Sequence, residues 1–337
     1  MAEIILGVGS SHGPLLNLPP EQWEVRAKFD RAQSELAYRD GTYTFLELAE
    51  LRACDEFVDQ CVIEVKRERH AQCQTQLDDL GARLRAADPD VVLIVGDDQR
   101  EWFFEDTQPA FAVYCGDEVR NLTWTDAERE VRIKSGRGGD LYSYRPETDQ
   151  TYPVERELAE RILGAAMDAE IDVAASMQQP KGPDGLRNIG HAYGFIYRRL
   201  LQDKPIPMVP VLQNTFYPPN QPAPKRCFEL GRVIGQAIRA WKSDKRVAVV
   251  ASGGISHFVV DEEWDHKMLD ALRDGDKDTL VDEPNIMFRS GSSETKNWIT
   301  VAGIMSETER SMELHAYVPC YRSEAGTGSG MAFATWR

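Results

Sequence analysis

Short apolar, β-branched runs alternate with segments of helical periodicity along most of this chain. Runs of roughly four to eight such residues between polar or turn residues are typical of buried strands. We predict strands at residues 4–8, 91–95, 110–114, 171–175, 208–212, 247–251 and 315–318. Apolar residues that recur at helical spacing predict helices at 154–166 and 230–241. This alternation predicts an α/β fold with a sheet between helices.

Residues 20–86 follow a different pattern, because they are rich in charged helix-forming residues and carry no strand signal. Thr44 followed by Glu47 fits a capping box at the start of a helix. Residues 55–86 fit one long helix or two. We predict that 20–86 are a helical insertion packed over the sheet of a single catalytic domain spanning 1–337, and that the Gly-rich residues 133–150 form a loop.

Composition restricts the class of protein. Hydrophobic residues make up 42% and charged residues 28%, which fits a soluble globular protein. The net charge of −16 argues against nucleic acid as a partner, since so acidic a surface repels phosphates. No apolar run is long enough to cross a membrane, and the N-terminus lacks a basic segment before its short apolar stretch. We therefore expect a cytoplasmic protein, and we expect a homo-oligomer, a dimer.

Cysteine and glycine patterns add no cofactor site. The six cysteines are scattered without a C-x-x-C pair, so we interpret them as small core residues. The glycines at 7, 9 and 13 have the wrong spacing for a dinucleotide motif and are followed by Pro14, and the cluster at 136–139 follows no strand.

Three of the six histidines lie at positions that favour a site. His12 follows the first predicted strand, His257 follows the strand at 247–251, and His191 lies in a Gly-flanked loop. In open α/β sheets, ligands bind at the carboxyl ends of the strands. A satisfied core or surface histidine is the alternative for each residue taken alone.

Carboxylates lie at two positions that could belong to the same site. Asp97 and Asp98, then Gln99, end a buried strand, where unpaired acids are costly unless they bind something. Glu262, Glu263 and Asp265 begin a helix after the His257 loop, where acids also stabilise the helix dipole. Histidines and a carboxylate with open coordination positions are typical of non-haem iron(II) oxygenases, although spacing alone does not choose iron over zinc or manganese.

Several specific motifs carry a resemblance over nearly the whole chain outside the insertion. They are SSH at 10–12, DVVLIVGDD at 90–98, PAFAV at 109–113, YPP at 217–219, KRCFELG at 225–231, GGISH at 253–257 and EWD at 263–265. In order and separation the chain resembles the catalytic β-subunits of protocatechuate 4,5-dioxygenases, class III extradiol dioxygenases that include enzymes for gallate and 3-O-methylgallate. The resemblance implies a central mixed sheet flanked by helices. It also implies cleavage of a carboxylated or methoxylated catechol by O₂ at one iron(II) ion.

The resemblance also implies roles for particular residues. His12 corresponds to the first histidine ligand of the iron, and Glu263 corresponds to its carboxylate ligand. His257 corresponds to the acid/base that handles the catechol protons, and His191 to a further active-site histidine in the substrate pocket. The N–H groups around Ser292 and Ser293, where an apolar helix begins, are candidates to hold a substrate carboxylate or hydroxyl, or form an ordinary helix cap.

One position departs from the family pattern. Gln99 stands where the family has its second histidine ligand. Four interpretations follow: Gln99 binds the metal through oxygen, Asp98 or Asp97 takes its place, a histidine such as His70 replaces it, or the metal site is lost. Two other functions stay open at this point: a non-catalytic binding or assembly protein of the same fold, and a zinc hydrolase that uses His12, Asp98 and Glu263.

Overall fold

The computed structural model describes residues 1–135, 141, 143–182 and 185–337. Its strands, in chain order, are β1 (Glu3–Ser10), β2 (Leu36–Tyr38), β3 (Gly41–Tyr43), β4 (Val91–Asp97), β5 (Phe111–Tyr114), β6 (Glu118–Asn121), β7 (Gln150–Pro153), β8 (Ala174–Ser176), β9 (Met208–Gln213), β10 (Arg246–Ser252), β11 (His257–Val259), β12 (Met312–Tyr321) and β13 (Thr327–Trp336). Its α-helices are α1 (Pro14–Asn17), α2 (Trp23–Arg31), α3 (Phe45–Leu51), α4 (Phe57–Gln60), α5 (Ile63–Ala86), α6 (Asp126–Lys134), α7 (Arg156–Asp168), α8 (His191–Phe195), α9 (Pro224–Ala240), α10 (Glu262–Asp274), α11 (Lys277–Asp282) and α12 (Thr295–Met305). Every helix in these ranges is too short or too polar to span a lipid bilayer.

The main sheet of the described chain is mixed. Its order is β11-β13-β1-β10-β4-β9-β5-β8, and β12 pairs with the other side of β13. The four strands β1, β10, β4 and β9 lie side by side and parallel. Antiparallel pairs join β13 to β1 and β5 to β9. The predicted fold, a central mixed sheet flanked by helices, is therefore confirmed, and the carboxyl ends of its parallel strands meet at one edge.

Alternate residues of the central strands enter two different cores. Val91, Leu93 and Val95 pack with apolar residues of α7, α9, α10 and α12 on one face of the sheet. Val92 and Ile94 face the other side, where they meet apolar residues of α5 and α8. Successive side chains of a strand point to opposite faces, so a strand covered on both sides has an uninterrupted apolar sequence.

Most predicted strands are present. β1, β4, β5, β9, β10 and β12 overlap their predicted ranges, whereas the strand predicted at 171–175 is shorter and lies later, as β8. β13 was not predicted. Its sequence, TGSGMAFATW, is rich in small residues that carry little strand signal, yet all of its residues are buried because it pairs on both sides. The short strands β2, β3, β6, β7 and β11 were also not predicted.

Residues 20–86 are mainly helical and contact the sheet. Thr44 and Glu47 form the predicted capping box at the start of α3. The segment 55–86 forms a short helix, α4, followed by the long helix α5. Leu77, Leu80 and Leu84 of α5 enter the core beneath β1 and β12. The expectation of no strand here is wrong, because β2 and β3 form a small separate hairpin. Whether 20–86 are an insertion in a single domain stays a prediction.

The predicted loop at 133–150 lies between α6 and β7, and its first two residues end α6. Residues 136–140 and 142 of this loop, which include the glycine cluster at 136–139, lie outside the described residues.

Gly9 of β1 lies against the ring of Trp298, so we expect Gly9→Ala to destabilise the fold. A Cβ at residue 9 would lie 2.2 Å from Cζ3 of Trp298. Overpacking of this kind in a rigid core costs about 1–3 kcal/mol. Urea denaturation should show a lower midpoint.

Gly164→Ala is the matched control, because a Cβ there meets nothing within 4 Å. Gly164 is exposed within α7, so this change should raise stability by up to about 1 kcal/mol through helix propensity. Equal midpoints for Gly9→Ala and the parent protein would show that the contact between Gly9 and Trp298 is wrong.

Candidate metal centre

Four potential ligands converge at the carboxyl edge of the parallel strands. His12 follows β1, Asp97 ends β4, His191 begins α8, and Glu294 ends the 3₁₀ turn before α12. One ligand atom from each residue lies within 4.8 Å of the others. This is the edge at which open α/β sheets place their ligands.

His12 presents an unprotonated nitrogen to this cluster. The hydroxyl of Ser252 donates to the carbonyl of Ala192 at 2.7 Å, so it must accept from Nδ1 of His12 at 3.0 Å. The Nδ1 proton leaves a lone pair on Nε2, the atom that faces the other ligands. Burial lowers the pKa of His12 to about 4, so the ring is neutral near pH 7. A neutral imidazole with its tautomer fixed is suited to bind a metal.

His191 is oriented by Glu101. Its Nδ1 lies 2.7 Å from the Glu101 carboxylate, and its backbone N–H donates to the same carboxylate at 2.9 Å. Burial alone would lower the pKa of His191, but Glu101 and Asp97 outweigh it and raise that pKa to about 10. Nε2 of His191 lies 3.0 Å from Nε2 of His12. Two lone pairs at this distance would repel, so a proton or a cation must lie between the rings.

Glu294 supplies the carboxylate of the cluster. Its Oε2 accepts from the backbone N–H of Gly254 at 2.8 Å and lies 3.5 Å from Nε2 of His12. Its Oε1 lies 3.1 Å from Nε2 of His257. Burial opposes ionisation, but the neighbouring His257 and His12 outweigh it and hold the pKa of Glu294 below its usual range. Glu294 is therefore ionised.

Asp97 lies deeper. Its Oδ2 is 3.8 Å from Nε2 of His191 and accepts a hydrogen bond from the Gln99 amide at 3.0 Å. Burial, together with the charge of Glu294, raises the pKa of Asp97 to about 7. A second buried carboxylate is thus costly to ionise here, and a cation would relieve that cost.

A cavity of about 450 Å³ opens onto the cluster. Its walls include His12, His191, Glu294 and His257, together with Phe216 and Phe258. Asp97, which is fully buried, does not line it. Nδ1 of His257 is buried and has no hydrogen-bond partner in the described part of the chain.

The residues present fit a divalent transition metal. Two nitrogen ligands that bind one ion at about 2.1 Å and at right angles are roughly 3 Å apart, which matches the separation of the two histidine nitrogens. Two imidazoles and a carboxylate that face a cavity leave coordination positions open, as in the facial triads of non-haem iron(II) oxygenases. The carboxylate of Glu101 behind His191 supplies the outer contact that orients a metal-binding histidine.

The structure brings His12, His191 and His257 together but not Glu263. The Glu263 side chain is 82% exposed and pairs with Arg39 at 2.5 Å. In the first turn of α10 the inward positions are occupied by Trp264 and Asp265, so Glu263 points to solvent. The prediction that Glu263 supplies the carboxylate of the site is therefore corrected, since Glu294 is the glutamate that lies in the cluster.

The structure also shows where the residues that could replace the family's second histidine ligand lie relative to the cluster. The Asp98 carboxylate turns away to accept the backbone N–H groups of Trp102 and Phe103, at 2.8 and 3.1 Å. Gln99 lines the cavity and binds Asp97. His70 lies on α5 against the carbonyl of Leu16, 3.3 Å away, and is not part of the cluster.

Ser292 and Ser293 do not line this cavity. The Ser292 hydroxyl accepts from the backbone N–H of His257 at 3.2 Å, and Ser293 donates to Thr215 at 3.2 Å. Both serines therefore contact residues next to the cavity and form no part of its wall. The prediction that they contact the substrate is corrected accordingly. From the same turn, Gly291 and Glu294 face the cavity. Sequence reasoning missed the placement of Glu294 and Glu101, although Glu294 lies next to the serines it singled out.

The chain matches the model of a protein family described as the catalytic LigB subunit of aromatic ring-opening dioxygenase, over residues 60–328. The chain belongs to the LigB family. The matched region begins within the segment 20–86 and contains His191, His257 and Glu294, while His12 precedes it.

Curated relatives carry dioxygenase names. Gallate dioxygenase of Pseudomonas putida is 29% identical over 126 residues, which are 34% of this chain and 36% of that protein. A 2,3-dihydroxyphenylpropionate/2,3-dihydroxicinnamic acid 1,2-dioxygenase of Paraburkholderia phymatum is 28% identical over 175 residues, 52% of this chain and 45% of the relative. Another enzyme of that name, from Pseudomonas putida, is 28% identical over 208 residues, 60% of this chain and 55% of the relative. The chain thus spans between about a third and just over half the length of these relatives.

We expect Glu294→Gln to weaken metal binding strongly and Glu263→Gln to leave it unchanged. The first change removes a buried anion 3.5 Å from Nε2 of His12, whereas the second removes an exposed partner of Arg39. Loss of one ligand should lower the affinity for iron(II) or cobalt(II) by at least about 100-fold, beyond the effect of losing an outer contact. Anaerobic titration calorimetry measures both variants. Equal affinities of the two variants would contradict the assignment of Glu294.

Proposed function

We propose that this chain is an iron(II)-dependent extradiol dioxygenase that opens the ring of a carboxylated catechol with O₂. The observation that carries the proposal is the trio His12, His191 and Glu294, in which His12 and Glu294 are buried and His191 is partly buried, with one side facing a cavity. Membership of the LigB family supports the reaction class, since the family is described as the catalytic subunit of aromatic ring-opening dioxygenases.

His12, His191 and Glu294 would hold the iron, with Asp97 and Gln99 behind or beside them. A bound iron(II) would supply open coordination positions for the diol and the redox chemistry that lets O₂ react with an aromatic ring. The residues of the chain prepare this site. Ser252 fixes the His12 tautomer, Glu101 fixes His191, and the backbone N–H of Gly254 holds Glu294.

His257 is our proposed acid/base for the diol protons. Its Nε2 holds a proton against Oε1 of Glu294, and Nδ1 is the atom left to take up another. Burial alone would lower the pKa of His257, but the Glu294 carboxylate outweighs it and raises that pKa. The ring also lines the cavity, so it is within reach of a bound diol.

Two observations support a small acidic substrate. The cavity of about 450 Å³ suits a single aromatic ring with a short substituent. The relatives are named as dioxygenases for gallate and for 2,3-dihydroxyphenylpropionate, and both compounds are phenolic acids. The flanking rings of Phe195, Phe216 and Phe258 supply apolar walls for such a ring.

The zinc-hydrolase alternative loses its support, because it needed Asp98 and Glu263 beside His12. Both carboxylates are directed elsewhere. A binding or assembly protein of the same fold is the remaining alternative. The cytoplasmic location and the dimer stay predictions.

Metal removal tests the proposed activity. Chelator-treated protein should show no O₂ uptake with 3,4-dihydroxybenzoate, gallate or 2,3-dihydroxyphenylpropionate, and anaerobic addition of iron(II) should restore it, with about one ion per chain, because the cluster offers one set of ligands. A ring-opened product should appear in step with O₂ consumption. Full activity without metal, or recovery with zinc alone, would contradict the proposal. Iron binding without uptake on any of these diols would favour the binding protein.

His257→Gln should keep the iron but lose about 100-fold or more in kcat, since general acid/base groups contribute on this scale. The matched control is His266→Gln, because His266 is exposed on α10 and its ring packs beside Tyr317. That variant should retain parental kcat. Steady-state O₂ uptake at measured iron content gives the comparison, and near-parental turnover of His257→Gln would remove the role assigned to this histidine.

A further inference from the structure

We propose that Arg322, held in place by Asp30, and Arg26 together bind the carboxylate of the substrate and select acidic catechols over neutral ones. The inference rests on the proposed function and adds the residues that determine specificity. Both arginines line the same cavity as His12, His191, His257 and Glu294.

The guanidinium of Arg322 is buried and held in one orientation, as a carboxylate-binding group would be. It is 3% exposed, which is unusual for an arginine unless the guanidinium is paired. Asp30 of α2 accepts from both Nε and Nη2 of Arg322, at 2.5 and 2.9 Å, and the hydroxyl of Thr327 also donates to Asp30. This fork-to-fork pair fixes the plane of the guanidinium. The N–H groups on its other edge are therefore held in a set direction.

Strand pairing brings Arg322 near the acid/base. Its backbone N–H donates to Thr327, which pairs with Val259 across β13 and β11. Its Cζ lies 5.9 Å from the ring centre of Phe258, the residue after His257. A diol bound between His257 and the proposed ligands would thus have its substituent within reach of this guanidinium.

Charge explains why a cation is needed there. The whole chain carries a net charge of −16, and Glu101 and Glu294 line the cavity beside His191 and His257. Such a field repels an anionic substrate. Among the described residues that line the cavity, Arg26 and Arg322 are the ones with permanently charged basic side chains. They provide the local attraction that an arylcarboxylate needs.

Arg26 extends this subsite toward solvent. A second cavity of about 530 Å³ adjoins the first, and Arg26, Phe216 and Phe258 line both. Arg26 and Asp30 lie one helical turn apart on α2, so they point to similar sides of that helix. A substituent longer than a directly attached carboxylate has room along this path. Helix α2 would thus contribute specificity while the sheet edge contributes the reaction centre.

The test compares acids with their methyl esters, which differ mainly in charge. The substrates are 3,4-dihydroxybenzoate and 2,3-dihydroxyphenylpropionate, each with its ester. The main variant combines Arg322→Gln with Asp30→Asn, because removing the arginine alone would leave a buried unpaired carboxylate. A second variant, Arg26→Gln, changes a half-buried residue and tests the subsite if the first fails to fold.

Each variant should lower kcat/KM for the acids by about 10- to 100-fold, the usual effect of losing a charge-assisted hydrogen bond. Turnover of the esters should change little, so the ratio of acid to ester should fall. Arg31→Gln is the matched control on the same helix, since Arg31 pairs with Glu24 and Glu324 at the surface. It should keep the parental ratio. Equal losses for acids and esters, or an unchanged ratio, would overturn the proposal.

Binding to the metal-free protein separates this inference from the proposed function. Calorimetry with 4-hydroxybenzoate and its methyl ester should show that the parent protein prefers the acid and that the variants lose this preference. If no diol is turned over but the preference is present and lost in the variants, the proposed activity fails and the arginine subsite stands. If diols are turned over and the parent protein shows no preference for acids, the subsite is wrong.

Discussion

The structure depends on burying several carboxylates beside two imidazoles at one edge of the sheet. Asp97 and Glu294 are buried there and Glu101 is partly buried, which is favourable only if each negative charge meets a proton, a donor or a cation. Glu101 meets His191, Glu294 meets the N–H of Gly254 and the ring of His257, and Asp97 meets Gln99. The contact of 3.0 Å between the two histidine nitrogens then marks the place where positive charge is required. The register of the parallel strands brings the residues that follow their carboxyl ends close to one another.

Reaction and selectivity are supplied by different parts of the chain in this picture. The proposed ligands come from the end of β1 and from the starts of α8 and α12, elements fixed by the two cores of the sheet. The walls farther out include Arg26 of α2, and Arg322 is anchored by Asp30 of the same helix. A change in α2 could therefore alter which acid fits without disturbing the reaction centre, because the two sets of contacts share few residues.

The sequence predicted those features that arise from local patterns. Apolar runs located the central strands, and their ends located His12 and His257, because residues after a parallel strand must emerge at the ligand-binding edge. It pointed to Glu263 and missed Glu294. Both carboxylates begin a helix after a polar turn, and only the rotation of each helix on the sheet decides which one faces inward. β13 was not predicted because its small residues carry little hydrophobic signal, and they are buried by the strands on both sides of it.

The departure at Gln99 has a structural explanation in the end of β4. The amide of Gln99 donates a hydrogen bond to Asp97. Two residues later, the Glu101 carboxylate contacts Nδ1 of His191. In the proposed site, the start of α8 supplies the imidazole that the strand end lacks, and Glu101 after the strand supplies the carboxylate that orients it. A histidine held by a carboxylate is a better electron donor to a metal than an amide oxygen is. The set His12, His191 and Glu294 therefore preserves two nitrogens and one carboxylate facing the cavity, which is the donor set that the proposed chemistry requires.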